Sequence, residues 1–506
     1  MRAKKLSVIP FEPAGGIVDG AVYENAVAHL RAARVVLPTF SELADPATIE
    51  NGVLKATAGI APDAAHPANL FRIHWHNDEA RTGLTDTPGH IVLDQSFTGI
   101  AAPIVVVLGD RFPMICAHKV LPAYACLAAR LVTGRFDPAA QRAVWPSTGN
   151  YCRGGVAVSR ILGCRGVAVL PEGMSRERFD WLDAWAGAPE DIVRTPGSES
   201  NVKEIYDKCA ELEADPANVI LNQFAEFANY LVHYRCTGRA LEKTFKTLSA
   251  ANPDLTLAAF VAGTGSAGTL GAGDYLKRVH GTKIVAVEPV ECPTMLHNGY
   301  GEHNIQGIGD KHIPLIQNVM NTNIVAGVSD ESCDSLNVLF NTPTGRRYLV
   351  DRRQLDPGLV AGLGLLGLSG IANMLAAIKT ARLLGLGEND AIFTVATDSA
   401  DLYVSERMAM EKSAFPDGFD AVNAGEVYAR HVLGLSGDHM MEATQAERRR
   451  IFNLGYYTWV EQQGVSLADF DRRRDQIFWR KIQDQLPVWD AMIEEFNRRT
   501  GVNRPG

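Results

Sequence analysis

The chain has 506 residues, of which 46% are hydrophobic and 21% are charged, and its formal net charge is −9. This length exceeds the usual size of a single hydrophobic core, so we expect a two-lobed body with appended segments, and the composition leaves little room for extensive disorder. The acidic balance argues against a nucleic-acid partner, because neutralising phosphates requires clustered Lys and Arg.

The first ten residues are basic at the start but contain no continuous apolar region of a targeting signal and no stretch long enough to span a bilayer. We therefore expect a cytoplasmic protein without a membrane partner. The eight cysteines show no C-x-x-C pairing and are expected to be reduced core thiols.

In chain order, residues 1–80 show weak hydrophobic periodicity and are predicted to form an N-terminal extension. Residues 81–415 alternate helical patterns with short apolar, β-branched runs, which is typical of parallel strands buried on both faces. These runs lie at 104–108, 167–170, 219–221, 257–261, 284–287 and 392–395. The predicted fold class is α/β.

Residues 416–506 show a helical pattern and are predicted to form a C-terminal helical extension. Ser466 is a candidate N-cap, and apolar residues from Phe470 to Phe496 recur near helical spacing. The arginine run 472–474 is interpreted as a solvated helix face.

A glycine-rich segment, 263–269, lies between the predicted strand 257–261 and a helical pattern beginning at Leu270. Small residues at a strand-to-helix turn let backbone N–H groups converge on a phosphate. Gly263, Gly265 and Gly268 also match G-x-G-x-x-G, and a predicted strand ending in Glu288 follows. An NAD-dependent oxidoreductase therefore stays open as an alternative, although several strand–helix units precede the motif, whereas a dehydrogenase fingerprint usually lies in the first.

Five further segments fall in a recognisable order: 117–119 (Ala-His-Lys), 146–150 (Pro-Ser-Thr-Gly-Asn), 223–238, 287–309 ending in His-Asn-Ile-Gln-Gly-Ile-Gly, and 367–370 with 397–399. With the glycine loop, this order resembles the fold type II pyridoxal phosphate (PLP) enzymes. Within that class, the sequence is similar to the cysteine synthase and cystathionine β-synthase-like group of the tryptophan synthase β superfamily. The similarity covers about residues 85–410.

The resemblance implies two α/β lobes with parallel sheets, in which a smaller lobe of about 117–235 is inserted in the larger one, and it implies a homodimer. It implies PLP as cofactor, bound as a Schiff base to Lys119, and β-elimination or β-replacement on an α-amino acid through an aminoacrylate intermediate. A catalytically silent relative that binds an amino acid or a partner protein is a further alternative.

The resemblance also assigns site residues. Lys119 would hold the cofactor and remove the α-proton, and Asn150 would donate to the phenolic oxygen. Ser369 would partner the pyridine nitrogen, which disfavours transamination because a hydroxyl does not force protonation of that nitrogen. His118 would lie beside the phosphate or the ring edge, unless it is a core histidine. The phosphate would be bound by Gly265, Ser266, Ala267, Gly268 and Thr269.

The substrate carboxylate would lie in the loop of Ser147, Thr148 and Gly149, with Gln223 lining the pocket. Two residues depart from the cysteine synthase pattern, Tyr151 and Arg153. Our hypothesis is that one of them reads a substrate group that O-acetylserine lacks, such as a second anion; the alternative is that Arg153 faces solvent. The leaving group is not identified by the sequence.

The sequence contains one pattern that resembles a metal site. His74 and His76 flank a tryptophan, with two acidic residues nearby. A third ligand of clear spacing is missing, so no metal is predicted.

Overall fold

The computed structural model describes residues 16–504, and within this range eleven strands form two separate sheets. The strands are β1 (His90–Leu93), β2 (Ile104–Leu108), β3 (Arg142–Pro146), β4 (Arg165–Pro171), β5 (Ile192–Thr195), β6 (Asn218–Ile220), β7 (Thr256–Gly263), β8 (Lys283–Pro289), β9 (Ile324–Val328), β10 (Asp390–Ala396) and β11 (Met440–Glu442).

The larger sheet has the order β1-β2-β10-β7-β8-β9-β11. Its five inner strands run parallel, and β1 and β11 are antiparallel edge strands. Strand β2 is buried at every position, because helices cover both faces of a parallel sheet. The α/β class predicted from the apolar runs is confirmed.

The smaller sheet has the order β5-β4-β3-β6 and is entirely parallel. Its strands lie between residues 142 and 220, within the range predicted for the smaller lobe. The carboxyl end of β3, Pro146, leads directly into the predicted asparagine loop, so this sheet positions one wall of the site.

The α-helices of the body surround these sheets. They are Gln95–Thr98, Val120–Val132, Asn150–Ile161, Arg176–Trp185, Val202–Leu212, Phe227–Val232, Gly238–Ala251, Leu270–His280, Thr294–His297, Asp330–Asn341, Pro343–Asp351, Pro357–Leu363, Leu368–Leu384 and Val404–Ala414.

The two ends of the described chain are helical as well. Helices Gly20–Ala32, Phe40–Ala44 and Asn51–Ala58 precede the body, and Ala421–Tyr428, Gln445–Tyr456, Leu467–Arg472, Gln476–Gln483 and Leu486–Thr500 follow it. Ser466 caps its helix by accepting from the Asp469 N–H at 3.1 Å. The predicted C-terminal helical tail is thereby confirmed.

The N-terminal helix and the last helix of the tail pack against each other. The rings of Tyr23 and Phe496 meet edge to face with centroids 5.4 Å apart, and Arg31 Nε donates to the Thr500 carbonyl at 2.8 Å. Two segments far apart in sequence therefore form one layer over the body.

The interpretation of residues 472–474 as a solvated face is wrong for Arg473. Its side chain is buried over the rings of Phe452 and Phe470, and its Nη1 donates to the Leu315 carbonyl at 2.6 Å. An arginine can be buried in this way because its planar guanidinium stacks on aromatic rings while it donates to a carbonyl.

No single helix within residues 16–504 is long and apolar enough to cross a membrane. Two consecutive helices, Pro357–Leu363 and Leu368–Leu384, together have the length and apolar composition of a membrane-spanning segment. Their axes are bent by 119° relative to each other. All eight cysteines are free thiols, and all except the half-buried Cys116 are buried.

Candidate active site

A cavity lies where the carboxyl ends of β3, β6, β7 and β10 converge between the two sheets. Its walls come from the segments 118–119, 147–151, 223–224, 262–269, 306–310, 369–373 and 395–397. Ligand sites of open parallel sheets form at this edge, because loops from several strands meet there.

Most of the site residues proposed from the sequence line this one cavity. They are His118, Lys119, Ser147, Thr148, Asn150, Tyr151, Gln223, Gly265, Ser266, Ala267, Thr269 and Ser369. Three proposed residues do not line it: Gly149, Arg153 and Gly268. Gly149 and Gly268 are chain neighbours of lining residues, and Arg153 donates to the lining residue Asn150 at 2.8 Å.

Lys119 precedes the helix Val120–Val132 and projects into the cavity. Its Nζ donates to Ser266 Oγ at 3.1 Å and to Gln223 Oε1 at 3.3 Å, so the amine connects the larger lobe with the smaller one. Burial lowers the pKa of Lys119 to about 8, although Asp310 and Glu199 oppose the shift. A larger fraction of the amine is therefore neutral near pH 7 than for an exposed lysine.

The glycine loop leaves the end of β7 and enters the helix Leu270–His280. A Cβ at Gly265 would overlap the carbonyl oxygen of Gly307, and Ala267 has a left-handed backbone with φ of 63°. Within the described chain, the N–H groups of Gly265, Ser266, Ala267 and Thr269 make no hydrogen bond. These free donors at the start of a helix form a cradle for an anion.

His118 lies in the wall of the cavity and is fully buried. Its ring stacks on Trp75, with centroids 5.9 Å apart, and its Nε2 lies 3.5 Å from Thr269 Oγ1. Burial lowers the pKa of His118 to about 3, so the ring is neutral near the anion cradle. Trp75 belongs to the predicted N-terminal extension, which therefore contributes to the walls around the site.

Asn150 is fixed from both ends of its amide. Its Nδ2 donates to Asp398 Oδ2 at 2.6 Å, and its Oδ1 accepts from Arg153 Nη1 at 2.8 Å. Arg153 is buried and stacks over Trp181, 5.0 Å from the ring centroid, so the alternative that it faces solvent is wrong. The structure places Arg153 behind Asn150, where it orients the amide.

Tyr151, the other departure from the cysteine synthase pattern, does line the cavity. Its ring packs edge to face on Trp145 at 5.4 Å, and burial raises the pKa of its hydroxyl well above the ordinary value. The group is therefore a neutral phenol.

Ser369 lies in the first turn of the helix Leu368–Leu384, and its hydroxyl is 2.7 Å from Thr397 Oγ1. Thr397 follows β10 and also lines the cavity. The two hydroxyls form a neutral hydrogen-bonding pair at the wall formed by this helix and β10.

Sequence reasoning missed several residues of the site, above all Asp310, and also Gln306, Asn373, Thr397 and the nearby Glu199. Asp310 lies immediately after the 303–309 segment and Thr397 begins the 397–399 segment, but the sequence pattern assigns no role to either side chain. No sequence pattern indicates a role for Glu199, because it lies in a loop without a recognisable motif.

The cavity fits PLP on the observations above. The unpaired N–H groups of the glycine loop suit a phosphate dianion, Lys119 supplies an amine of lowered pKa, and the Ser369 hydroxyl is a neutral partner for a ring nitrogen. These groups lie on different walls of one cavity, as a flat, phosphorylated ring requires.

The alternative of an NAD site finds no support in the geometry. Both carboxylate oxygens of Glu288 accept backbone N–H groups, from Met295 and Leu296 at 2.8 Å each, so this side chain is not free to bind a ribose. Within residues 16–504, no group of three metal-ligating side chains is found, and His74 and His76 lie with ring centroids 6.4 Å apart.

A family model described as "Pyridoxal-phosphate dependent enzyme" matches residues 96–336. The cysteine synthase of Staphylococcus aureus is 32% identical over 264 residues, which cover 52% of this chain and 75% of the relative.

Two solved structures share the fold. A hydrogen sulfide-producing enzyme from Fusobacterium nucleatum is 21% identical with a TM-score of 0.52, covering 66% of this chain and 99% of the other. An O-acetylserine dependent cystathionine β-synthase from Helicobacter pylori is 24% identical with a TM-score of 0.51, covering 63% and 94%. The cavity, its cofactor fit and the match to cysteine synthase agree, and the chain belongs to the family of pyridoxal phosphate-dependent enzymes that includes the cysteine synthases.

Proposed function

We propose that this chain uses Lys119 to hold PLP covalently and to move the α-proton of an amino acid, in a β-elimination or β-replacement. The observation that carries the proposal is the Lys119 amine, which lies in the cavity between Ser266 and Gln223 with its pKa lowered to about 8. A catalytic amine needs this combination of burial and access to the substrate.

When bound, the cofactor supplies an electron-withdrawing ring that makes the substrate α-proton acidic and allows a β-substituent to leave. The glycine loop would bind its phosphate through the unpaired N–H groups of Gly265, Ser266, Ala267 and Thr269. Asn150 and Ser369, which line the cavity, would hold the ring, and the loop of Ser147 and Thr148 would bind the substrate carboxylate.

The groups that govern proton transfer at the site are all uncharged. Lys119 Nζ accepts the α-proton as a free base, and its lowered pKa makes this form available near neutral pH. His118 is neutral, since its pKa is about 3, and therefore does not compete for that proton. The Ser369–Thr397 pair carries no charge, which favours departure of a β-group over transamination.

The spectrum of the purified holoenzyme tests this proposal. The wild type is expected to be yellow, and Lys119→Ala is expected to lose the yellow absorbance band and the release of pyruvate from β-substituted amino acids. Lys379→Met is a matched control, because Lys379 is also buried but binds the Gly327 carbonyl outside the cavity. A Lys119→Ala protein that keeps both the band and the activity would contradict the proposal.

We further propose a cytoplasmic location and a homodimer. The eight free cysteines support a reducing compartment, since secreted proteins commonly oxidise such thiols. The dimer is expected from the family, and light scattering on the purified protein measures it.

A further inference from the structure

Asp310 is a buried carboxyl group that faces the cavity beside Lys119. It is 5% exposed and lines the cavity wall. Among residues 16–504, its side chain makes no hydrogen bond, and only its backbone carbonyl is used, accepting from Thr294 Oγ1 at 3.1 Å. A buried carboxyl group without a protein partner is costly, so this side chain is free for a group that the cavity receives.

The charges around Asp310 determine its protonation. Burial raises the pKa of Asp310 to about 7, and Lys119 is the cation that opposes the shift. Glu199, whose pKa is raised to about 8 by burial, also faces Asp310, and the buried Tyr206 and Cys292 near it stay neutral because their pKa values are raised. The form of Lys119 that removes the α-proton is the neutral amine, and a neutral amine does not hold Asp310 in the ionised form.

We propose that Asp310 is the general acid that protonates the leaving group at the substrate β-carbon, and that the substrate therefore carries a strongly basic leaving group, a thiolate or an alkoxide. The proposal rests on the proposed function. A chloride or an acetate leaves as a stable anion and needs no proton. A thiolate or an alkoxide is a poorer leaving group, and a positioned carboxyl O–H lowers the barrier to its departure.

The proposed elimination moves two protons. The Cα–H bond breaks, its proton passes to Lys119 Nζ, and its electron pair forms the Cα–Cβ double bond. The bond from Cβ to the leaving group breaks, the leaving group takes that electron pair and the Asp310 proton, and a neutral thiol or alcohol departs. The Asp310 carboxylate then takes a proton from an incoming thiol, amine or water.

The experiment compares two substrates of similar size on the PLP-loaded enzyme, S-methyl-L-cysteine and β-chloro-L-alanine. Asp310→Asn is expected to lower kcat/KM for the thioether at least about 100-fold, as loss of a general acid commonly does, and for the chloride less than about fivefold. The Kd of each amino acid, read from the shift of the cofactor spectrum, should be unchanged, because the amide keeps the shape of the carboxyl group.

Asp274→Asn is the matched control, since Asp274 is a buried carboxylate outside the cavity that accepts from Tyr230 and Asn318 at 2.7 Å. It should leave the ratio of the two rates unchanged. The wild-type enzyme offers a further test that does not depend on whether a variant folds. Its ratio of the thioether rate to the chloride rate should fall about tenfold per pH unit above the pKa of Asp310.

Failure of the proposed function and failure of the proposed role of Asp310 give different results in this experiment. A wild type that shows no spectral change and converts neither compound overturns the proposed function, and with it the role of Asp310. A wild type that converts only the chloride, an equal loss on both substrates in Asp310→Asn, or a rate ratio independent of pH overturns the role of Asp310 alone.

Discussion

At the scale of single residues, the orientation of Asn150 depends on side chains that do not touch the cavity. Asp398 accepts from its Nδ2 and Arg153 donates to its Oδ1, so neither end of the amide can rotate without breaking a hydrogen bond to a charged group. Such bonds contribute about 1.5–3 kcal/mol each. Arg153 is therefore a positioning residue rather than a reader of substrate.

Arg153→Met tests this role. We expect kcat/KM to fall about 10- to 100-fold on every substrate, because a charge-assisted bond to Asn150 is lost, together with a shift of the cofactor absorbance. Arg160→Met is the matched control, since Arg160 also stacks on a tryptophan, Trp185, but on the exposed side of the same helix. An increase in KM confined to substrates with a second anion would instead support direct contact with the substrate.

Single residues also show what the sequence could and could not predict. Lys119, Asn150 and Ser369 were proposed from motifs, and the structure brings them to one cavity. Asp310 follows a segment that was singled out, yet its side chain was missed, because only the packing of residues 306–310 against the glycine loop aims it at Lys119. Arg473 was misinterpreted because a run of arginines does not reveal which member is buried.

At the scale of elements, the glycine loop depends on close backbone approaches. A Cβ at Gly268 would overlap Asn229 Oδ1, and Asn229 Nδ2 donates to Ser266 Oγ at 3.0 Å, the same hydroxyl that accepts from Lys119. A change at Gly268 therefore reaches the Lys119 amine through two contacts, although Gly268 does not line the cavity.

Gly268→Ala is expected to raise the Kd for PLP about tenfold or more, since overpacking costs about 1–3 kcal/mol and displaces the phosphate cradle. Equilibrium dialysis of the apoprotein with PLP measures this. Gly437→Ala is the control, because no atom lies within 4 Å of a Cβ built there. An unchanged Kd in Gly268→Ala would show that the loop does not bind the cofactor phosphate.

Strand prediction succeeded where a buried strand has a continuous apolar run and failed for physical reasons elsewhere. Five of the six predicted runs lie within strands, and the sixth, 219–221, overlaps β6 except for Leu221. Strand β9, Ile-Val-Ala-Gly-Val, is also a continuous apolar run and could have been predicted. Strand β11 has only three residues and shows no apolar run or alternation. In β3, an arginine and a proline at the ends leave only three apolar residues.

At the scale of the whole molecule, the two terminal segments form one layer. The tail helix Leu486–Thr500 packs on the helix Gly20–Ala32 through Phe496 and Tyr23, and Asn497 Oδ1 accepts from the Leu37 N–H at 2.9 Å. The sequence predicted both extensions but not their contact, because nothing in local periodicity encodes a pairing across more than 450 residues.

Phe496→Ala is expected to lower the free energy of unfolding by about 3–5 kcal/mol, since its side chain is fully buried in this layer. Denaturant unfolding followed by tryptophan fluorescence measures the change. Ile477→Ala in the same tail should have a much smaller effect, because Ile477 is 50% exposed. Equal effects of the two substitutions would show that the layer is not a stabilising interface.

The central claim is that Lys119 holds the cofactor, and reduction of the holoenzyme with borohydride tests it most directly. Reduction makes the bond between PLP and its lysine permanent, and peptide mass spectrometry then locates the modified residue. We predict one modified peptide per chain, with the added mass on Lys119. A modification on another lysine, or none after reduction of a yellow protein, would contradict the account.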